Sequence, residues 1–249
     1  MSEYKFSVII PAYNEEKYIG KCLHFIQKAA ERVAPDKVQM IVVANRCTDR
    51  TAVIAARHGA KVVSDSQSRC IAAVRNTGLK AADGEIIVTI DADSVMTKDS
   101  LREIGQLLES GKFIGGGAIP EFDRMSFGIF VSSMYVAVNL LPKMIKCGGA
   151  LSGTMFWAYK RDFEAVGGFD EKLVSLEDMD FAMRLKKHGE KQGKKYGTLK
   201  KSFVITSSRK FDEFGDWYLV KNRSLTKRIF TGTDKAAADE FYYNVRKQP

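Results

Sequence analysis

Over its first 120 residues the chain alternates short apolar runs with segments of helical spacing, and this alternation limits the folds that it can adopt. The apolar runs are rich in β-branched residues and lie at 6–11, 38–44, 60–64, 85–90 and 112–118. Segments with apolar residues three and four positions apart lie between them, at 15–33, 51–58, 68–81 and 98–110. Continuous apolar runs are typical of strands buried on both faces. The pattern therefore predicts an α/β fold with a mostly parallel sheet, flanked by helices and joined by right-handed crossovers.

The second half of the sequence predicts less regular structure. We expect an apolar helix at 127–145, a glycine-rich turn at 148–153, strands at 154–159 and 203–207, helices at 160–166 and 176–188, and an aromatic tail of mixed charge. The sequence contains no internal repeat, low-complexity segment or clear linker. Single α/β domains commonly reach this length. We therefore predict one continuous domain over residues 1–249, with halves at 1–120 and 121–249.

Composition limits the partners and the compartment. Lys and Arg number 39 against 30 Asp and Glu, and the net charge of +9 indicates an anionic partner without choosing between phosphate, anionic lipid and nucleic acid. The four cysteines are scattered and form no C-x-x-C pair, which argues against a zinc site or disulfide scaffold and favours a reducing compartment. The N-terminus lacks the apolar stretch of a signal peptide. We therefore expect a cytoplasmic protein.

An uncharged stretch at 125–142 separates Arg124 from Lys143. A spanning helix needs about 20 predominantly apolar residues, whereas this stretch contains serines, a glycine and an asparagine and ends at Pro142. We therefore expect no transmembrane span. Apolar stretches of soluble chains mostly pack in the core, and we expect a core helix here. The alternative is an apolar patch that, with the basic run at 184–201, makes peripheral contact with the anionic inner face of a membrane.

The residues that follow each apolar run are the candidates for chemistry, because ligands bind at the carboxyl ends of parallel strands. Asp91-Ala92-Asp93 follows directly on the run at 85–90. Two such carboxylates can share one Mg²⁺ or Mn²⁺, which typically takes its other ligands from water and substrate phosphates. The alternative role is turn formation and helix capping. The position at the ligand edge favours a metal site at Asp91 and Asp93.

Other polar groups are expected at the same edge. The segment 11–15 (PAYNE) ends the first run, where Asn14 can cap a helix and Glu15 suits its first turn; the alternative is a ledge for a nucleotide base and ribose. Asn45 ends the second run, where an amide can contact a base edge or ribose. Arg75 is a cation suited to phosphate, or else part of a solvated helix face.

A second acidic cluster, Glu177, Asp178 and Asp180, opens the predicted helix at 176–188. Acidic side chains stabilise a helix N-terminus, which alone would account for one or two of the three. The alternative is a general base that takes a proton from an acceptor hydroxyl as its oxygen attacks.

Five segments of the chain occur in the order seen in family 2 glycosyltransferases of the GT-A fold, which the sequence resembles over residues 6–208. They are PAYNEE, VVANRCTDRT, RNTGLKAADGEIIVTIDADS, GTMFWAYKRDFEAVGGFDE and EDMDFAMRL. The resemblance implies an inverting transfer of a sugar from a nucleoside-diphosphate donor to an acceptor hydroxyl, in one metal-assisted displacement. It also implies that residues 1–120 bind the nucleotide sugar and that residues 121–249 supply the acceptor side and a C-terminal tail.

On the donor side, the resemblance implies that Pro11, Tyr13 and Glu15 line the nucleoside site. Asp91-Ala92-Asp93 matches the D-x-D segment that holds Mn²⁺ or Mg²⁺ against the diphosphate. Many relatives carry Asp-Asp where this chain has Ala44 and Asn45, so uracil, guanine and other bases stay open.

On the acceptor side, the resemblance implies that Asp178 is the catalytic base, with Glu177 beside it. Gly153 and Thr154 fall where the family has its acceptor-side wall, and Trp157 is a candidate for stacking on a sugar. After the last predicted strand no histidine is found to complete a metal site, and Arg209 is there instead as a candidate contact of the diphosphate.

The sequence is also compared with the patterns of three other functions. A nucleotidyltransferase usually has a Gly-rich loop with a basic residue after its first strand, and PAYNEE does not fit that pattern. A non-catalytic nucleotide-sugar-binding protein differs from an enzyme only in activity. A membrane-surface-binding protein would use the basic run at 184–201. We expect no nucleic acid partner, because no stacking or helix-in-groove motif is found. The acceptor, whether lipid-linked, glycan or small molecule, is not readable from the sequence.

Overall fold

A computed structural model describes residues 3–146 and 154–240 of the chain. Seven strands belong to its main sheet: β1 Phe6–Ala12, β2 Val38–Asn45, β3 Lys61–Asp65, β4 Ile86–Ile90, β6 Phe113–Gly117, β8 Met155–Tyr159 and β9 Lys195–Thr198. Three shorter strands form a second sheet: β5 Ser94–Met96, β7 Pro120–Phe122 and β10 Val204–Thr206. The spatial order is β3-β2-β1-β4-β8-β6-β9 in the main sheet and β5-β10-β7 in the second.

The helices of the described residues fall into two groups. Those between and after the strands of the main sheet are α1 Ile19–Glu31, α2 Thr51–Arg57, α3 Ile71–Ala81, α4 Ser100–Glu109, α5 Phe127–Lys146, α6 Lys160–Ala165 and α7 Glu177–Glu190. Shorter helices follow the last strand: α8 Arg209–Phe214, α9 Tyr218–Lys221, α10 Arg223–Ile229 and α11 Lys235–Ala238.

The architecture is mixed α/β, and the main sheet is mainly parallel, as predicted. Strands β1, β2, β3 and β4 run parallel to one another, whereas β8 runs antiparallel to both β4 and β6. The carboxyl ends of β1, β2 and β4 therefore meet at one edge of the sheet. Because Ile90 of β4 pairs with Met155 of β8, the residue before β8, Thr154, is brought to that same edge.

Side chains that alternate along the central strands divide the core into two layers. On one face Val8 and Ile10 pack with the buried side of α1, whereas Ile9 packs on the opposite face with the phenylalanines Phe163 and Phe181. All of these side chains are fully buried. Burying one large apolar side chain contributes about 1.5–3 kcal/mol, so the covered faces explain why the strand sequences are apolar without interruption.

The structure differs from the predicted elements in three places. Helix α1 begins at Ile19 after an N-cap at Tyr18, so Asn14 does not cap it as predicted. Strands β5, β7 and β9 were not indicated by the sequence pattern, because they are three or four residues long. The aromatic tail folds into helices α8 to α11, which are each too short to show clear helical periodicity.

Helix α5 is not the buried core helix that the sequence pattern favours. Its large apolar side chains Phe127, Phe130, Met134, Val138, Leu141 and Ile145 are 48% to 75% exposed. The prediction fails because the opposite side of the helix already provides the inward contacts, with Ile129 and Ser132 fully buried. Among the residues that the structure describes, no helix is both long enough and apolar enough to span a bilayer.

Candidate active site

A cavity of about 630 Å³ opens at the edge where β1, β2 and β4 end. Eleven side chains or backbone positions singled out in the sequence line it together: Pro11, Ala12, Tyr13, Glu15, Asn45, Arg75, Asp91, Ala92, Asp93, Glu177 and Asp178. Thr154 also lines this cavity. The strand ends and the start of α7 therefore bring distant segments of the sequence into one site.

Arg75 connects the two acidic clusters. Its Nη2 donates to Asp91 Oδ1 at 3.0 Å, and its Nη1 donates to Glu177 Oε1 at 2.7 Å. The side chain is buried, and its guanidinium lies 5.2 Å from the centroid of the Phe169 ring and 5.9 Å from that of Phe156. A buried cation needs paired acceptors, and the two carboxylates supply them. Arg75 is therefore not a solvated helix residue, and it fixes the start of α7 relative to the end of β4.

The electrostatic environment differs between the carboxylates of the cavity. Burial, and after it the neighbouring Glu177 carboxylate, raises the pKa of Asp178 to about 7, whereas Arg75 acts in the opposite direction. Burial also raises the pKa of Asp91, again against the effect of Arg75. Asp178 Oδ1 accepts a hydrogen bond from the backbone N–H of Met179 at 2.7 Å. A carboxylate with a pKa near neutral pH has the property required of a general base.

Arg209, the first residue of α8, does not itself line the cavity, but it is a second cation that contacts two of the lining carboxylates. Its Nη1 and Nη2 donate to the two Glu15 carboxylate oxygens at 2.6 and 2.7 Å, and its Nη2 lies 2.8 Å from Asp93 Oδ2. The guanidinium also lies 4.7 Å from the centroid of the Tyr18 ring. Glu15 is therefore an ion-pair partner, and it does not lie in the first turn of α1 as predicted, because that helix begins at Ile19. Each aspartate of the D-A-D segment faces one arginine.

Three of the described non-glycine residues have positive φ and lie at or next to cavity-lining positions: Leu176 at 60° lines the cavity, whereas Asn14 at 52° and Arg46 at 50° adjoin lining residues in the sequence. Such left-handed conformations are strained for L-residues and are enriched at functional sites. Asn14 Oδ1 accepts the Thr48 N–H at 2.8 Å, which joins the loops after β1 and β2. Leu176 directly precedes Glu177, so the turn at Leu176 sets the direction in which α7 begins.

Asn45 is 3% exposed and lines the cavity at the end of β2. Its amide nitrogen donates to the backbone carbonyls of Asp65 and Ser68, both at 3.1 Å, and its Oδ1 accepts from Arg46 Nε at 3.3 Å. Both amide hydrogens are thus used within the protein, which leaves the oxygen as the group that a nucleotide can approach. The Arg46 guanidinium lies 5.3 Å from the centroid of the Tyr13 ring.

The D-A-D segment fits a divalent cation by the chemistry of its donors. Asp91 and Asp93 present hard carboxylate oxygens to one cavity, as Mg²⁺ and Mn²⁺ require. Within residues 3–146 and 154–240 there is no cluster of three His, Cys, Asp or Glu side chains placed to hold a metal. Further ligands would therefore come from a diphosphate and water, which is the common arrangement for Mg²⁺ at phosphate sites.

The three residues predicted for the acceptor side of the site, Gly153, Thr154 and Trp157, differ in where they lie. Trp157 is fully buried, and its Nε1 donates to the Gly117 carbonyl at 3.1 Å, so it does not stack on a sugar in this cavity. Its indole fits between strands because Gly116 and Gly197 lack side chains where a Cβ would contact the ring. Thr154 lines the cavity, and its hydroxyl has no hydrogen-bond partner in the part of the chain that the structure describes. Gly153 and the turn at 148–153 lie outside the described residues.

One wall of the cavity was not indicated by the sequence motifs. It is mostly apolar and is formed by α5 and the C-terminal helices, through Ser133, Val136, Leu140, Lys210, Phe211, Phe214, Tyr218, Leu219 and Phe230. The only sequence signal was the aromatic spacing at 211, 214 and 218, three and four residues apart. The cavity thus has polar strand ends on one side and an apolar wall on the other.

Comparison with known proteins agrees with this geometry. Residues 7–165 match the family described as Glycosyl transferase family 2. The chain is 26% identical over 196 residues to the poly(ribitol-phosphate) beta-N-acetylglucosaminyltransferase TarS of Staphylococcus aureus. That match covers 72% of this chain and 32% of TarS, so the chain spans about a third of the length of this relative.

Two solved structures show the same fold at low sequence identity. The structure of S. aureus TarS 1–349 in complex with UDP has a TM-score of 0.63 and 20% identity, over 97% of this chain and 70% of that one. Glucosyl-3-phosphoglycerate synthase from Mycobacterium tuberculosis, in complex with Mn²⁺, UDP and phosphoglyceric acid, has a TM-score of 0.59 and 17% identity, over 99% and 80% of the two chains. These likenesses identify the mixed α/β architecture as the GT-A fold.

Proposed function

The chain belongs to glycosyl transferase family 2, and from this premise we propose that it transfers a sugar from a nucleoside-diphosphate donor to an acceptor hydroxyl with inversion at the anomeric carbon. The observation that carries the proposal is the convergence of Asp91, Asp93 and Asp178 on one cavity at the carboxyl edge of the sheet. A metal-binding pair and a general base are the two functions that a single displacement requires.

The donor would occupy the strand-end side of the cavity. Pro11, Tyr13, Glu15 and Asn45 surround the position of the nucleoside, and UDP is bound by the related TarS structure. The Asn45 oxygen offers an acceptor to a base N–H, which suits uracil and does not exclude guanine. In the same proposal residues 1–120 bind the nucleotide sugar, and residues 121–249 supply the acceptor side.

Asp91 and Asp93 would hold Mn²⁺ or Mg²⁺, which when bound neutralises negative charge that develops on the leaving diphosphate. Mn²⁺ is present in the related synthase structure. Arg75 keeps Asp91 oriented through its 3.0 Å hydrogen bond. A cation bound at Asp93 would compete with Arg209 for this carboxylate, and a guanidinium released from Asp93 would offer its donors to the diphosphate.

Asp178 would accept the proton of the acceptor hydroxyl during attack. Its pKa of about 7 leaves a substantial unprotonated fraction at neutral pH and makes that form a stronger base than an ordinary aspartate. Glu177, held by Arg75, contributes the negative charge that helps to raise the pKa of Asp178. In the proposed reaction the base deprotonates an acceptor that attacks the anomeric carbon from the side opposite to the leaving diphosphate, and such a displacement inverts that carbon.

The test is a thermal-shift panel of UDP, GDP, dTDP and CDP and their sugars, each with and without Mn²⁺. A ligand at 100 times its dissociation constant stabilises by about 2.7 kcal/mol, which such a panel detects. We expect one nucleotide class to stabilise the protein more in the presence of Mn²⁺. The alternative, a non-catalytic nucleotide-sugar-binding protein, predicts the same shifts without sugar transfer to any acceptor. Absence of stabilisation by every nucleotide sugar would contradict the proposal.

A further inference from the structure

The exposed side of α5 is a continuous apolar stripe. It consists of Phe127, Phe130, Met134, Val138, Leu141 and Ile145, which are spaced three and four residues apart and therefore lie on one face of the helix. At 1.5 Å per residue the stripe is about 27 Å long. Helices at a protein surface normally present charged and polar residues to water. Helix α5 instead presents large apolar side chains, which no other part of the described chain covers.

The opposite face of α5 belongs to the candidate active site. Ser133, Val136 and Leu140 line the cavity, and Ser132 Oγ donates to the Asp216 carbonyl at 2.6 Å. One helix thus forms the apolar wall of the cavity on its inner side and the apolar stripe on its outer side. Whatever covers the stripe lies one helix diameter, about 10 Å, from the acceptor side of the cavity.

The charges around the stripe are basic. No charged residue occurs between Arg124 and Lys143, and Lys146 follows at the end of the helix. Helix α5 packs against α9, and α9 packs against α10. Ion pairs in this region use Arg124 and Arg228. Three other cations of these helices, Lys221, Arg223 and Lys227, are exposed and form no ion pair within residues 3–146 and 154–240.

An aromatic residue extends the stripe at its N-terminal end. Trp217 is 40% exposed, and its ring lies 6.0 Å, edge to face, from the ring of Phe127. Tryptophan is enriched at membrane–water interfaces, where its apolar ring and its polar N–H are both satisfied. The region thus combines an uncharged apolar helix face, an exposed tryptophan next to it, and cations without ion pairs among the described residues on the helices α9 and α10 that pack on from α5.

We propose that α5 docks on an anionic lipid bilayer, with the stripe in the boundary between headgroups and acyl chains and the neighbouring cations at the lipid headgroups. An apolar helix face together with basic residues is the combination that gives reversible membrane association. The exposed cations of α9 and α10 complement the negative headgroups of such a bilayer, and a protein partner is the other outcome that the experiment distinguishes.

Docking in this orientation would place the apolar wall of the cavity beside the bilayer. If the proposed glycosyl transfer is correct, an acceptor hydroxyl carried on a lipid could then reach Asp178 without leaving the membrane surface. This second step rests on the proposed function, whereas the docking itself does not. The two are separated by measuring vesicle binding and donor-nucleotide binding on the same protein samples.

The experiment is sedimentation with vesicles of phosphatidylcholine alone or with about 30% phosphatidylglycerol, which mimics an anionic leaflet. The stripe variant Met134→Glu/Val138→Glu is compared with the wild type and with Val53→Glu. Val53, on α2, is an exposed valine outside the stripe and is a matched control, since it is 51% exposed, as is Met134. Thermal shifts with Mn²⁺ and the nucleotide that stabilises the wild type most check that each variant keeps its donor site.

We expect the wild type and Val53→Glu to bind the anionic vesicles and the stripe variant to bind about tenfold more weakly or not at all. Raising the salt from about 0.05 M to about 0.5 M should weaken binding several-fold, because the Debye length shrinks. A Lys221→Glu/Arg223→Glu variant should lose the preference for anionic lipid.

The proposal is overturned if the wild type stays in the supernatant, or if the stripe variant binds as the wild type does. It is also overturned if light scattering shows a wild-type dimer that Met134→Glu/Val138→Glu converts to a monomer, because a second copy would then cover the stripe. Absence of a thermal shift in the wild type with every nucleotide sugar of the panel, with vesicle binding retained, would contradict the proposed function and leave the docking intact.

Discussion

Arg209 Nη2 lies 2.8 Å from Asp93 Oδ2, so the first residue of helix α8 contacts the second aspartate of the D-A-D segment. The same guanidinium donates to both carboxylate oxygens of Glu15, which is 194 residues away in the sequence. This cation therefore holds the C-terminal helices against the strand ends. Since Asp93 is also a proposed metal ligand, a divalent cation and Arg209 would compete for one carboxylate, and binding of the donor would rearrange this contact.

Asp93→Asn should abolish the metal-dependent part of donor binding. An amide lacks the negative charge that a divalent cation requires, and we expect Mn²⁺-dependent affinity for UDP to fall by at least about 100-fold. The fold should persist, because Arg209 keeps its two hydrogen bonds to Glu15. Calorimetric titration of UDP with and without Mn²⁺ measures the effect. Asp99→Asn, which alters an exposed ion pair with Arg32 and Arg102, is the control. Unchanged Mn²⁺-dependent binding in Asp93→Asn would refute the metal site.

Arg209→Lys should weaken donor binding while preserving the charge. An ammonium is a point charge and cannot make the paired hydrogen bonds of a guanidinium to a carboxylate or diphosphate. We expect about a tenfold loss of affinity for UDP, since a charge-assisted hydrogen bond contributes about 1.5–3 kcal/mol. Arg50→Lys, at an 80% exposed side chain of the neighbouring loop, should leave UDP binding unchanged. Equal titration curves for the two variants would exclude Arg209 from the donor site.

Asp178→Asn should remove sugar transfer and spare donor binding. General bases contribute about 10²–10⁴-fold in rate, and the proposed base acts on the acceptor and not on the donor. The matched control is Asp180→Asn, because Asp180 forms an ion pair with Arg184 on its own helix, with Oδ2 2.7 Å from Nε. Rates of sugar transfer measured at saturating donor distinguish the two variants. Transfer that survives in Asp178→Asn but fails in Asp180→Asn would reassign the base within the cluster.

The rate of transfer should rise with pH and level off above about 7. Asp178 must be unprotonated to accept a proton, and burial together with Glu177 raises its pKa to about 7. The rate should therefore fall about tenfold for each unit of pH below that value. The pKa of the base is obtained from the rate of transfer as a function of pH at saturating donor and acceptor. A rate that is constant from about pH 5 to pH 8 would show that the base has an ordinary carboxylate pKa.

Asp178 should also make the free energy of unfolding depend on pH. Its pKa is higher in the folded protein, about 7, than the ordinary aspartate value of 3.8. The folded state therefore binds the proton more tightly, and the contribution of this group to stability is full below about pH 4 and declines as pH rises to about 7. We expect Asp178→Asn to be more stable than the wild type at pH 8 and to differ less at pH 5. Urea unfolding at both values tests this, and equal stabilities at pH 8 would contradict it.

Local sequence patterns were sufficient for the elements that carry the site. Uninterrupted apolar strands such as β1 and β4 require cover on both faces, so their sequences predict a buried sheet with helices on each side. Polar residues at the end of such strands or directly after them, among them Asn45 and Asp91, necessarily lie at the carboxyl edge. The order of strand, loop and helix is encoded in neighbouring residues, and for that reason it could be predicted from the sequence.

Contacts between distant segments could not be predicted in this way. Trp157 and the apolar residues of α5 both lie in the opposite environment from the one predicted. Trp157 is buried, because Gly116 and Gly197 leave room for its ring. The α5 stripe is exposed, because the other side of that helix makes the inward contacts. The pairing of Arg209 with Glu15 and Asp93 and the bridge from Arg75 to Glu177 likewise depend on how strands and helices pack. The sequence thus determined which side chains stand at the ends of the strands, and only the tertiary structure decided which of them meet, because burial and ion pairing depend on neighbours that are far away in the chain.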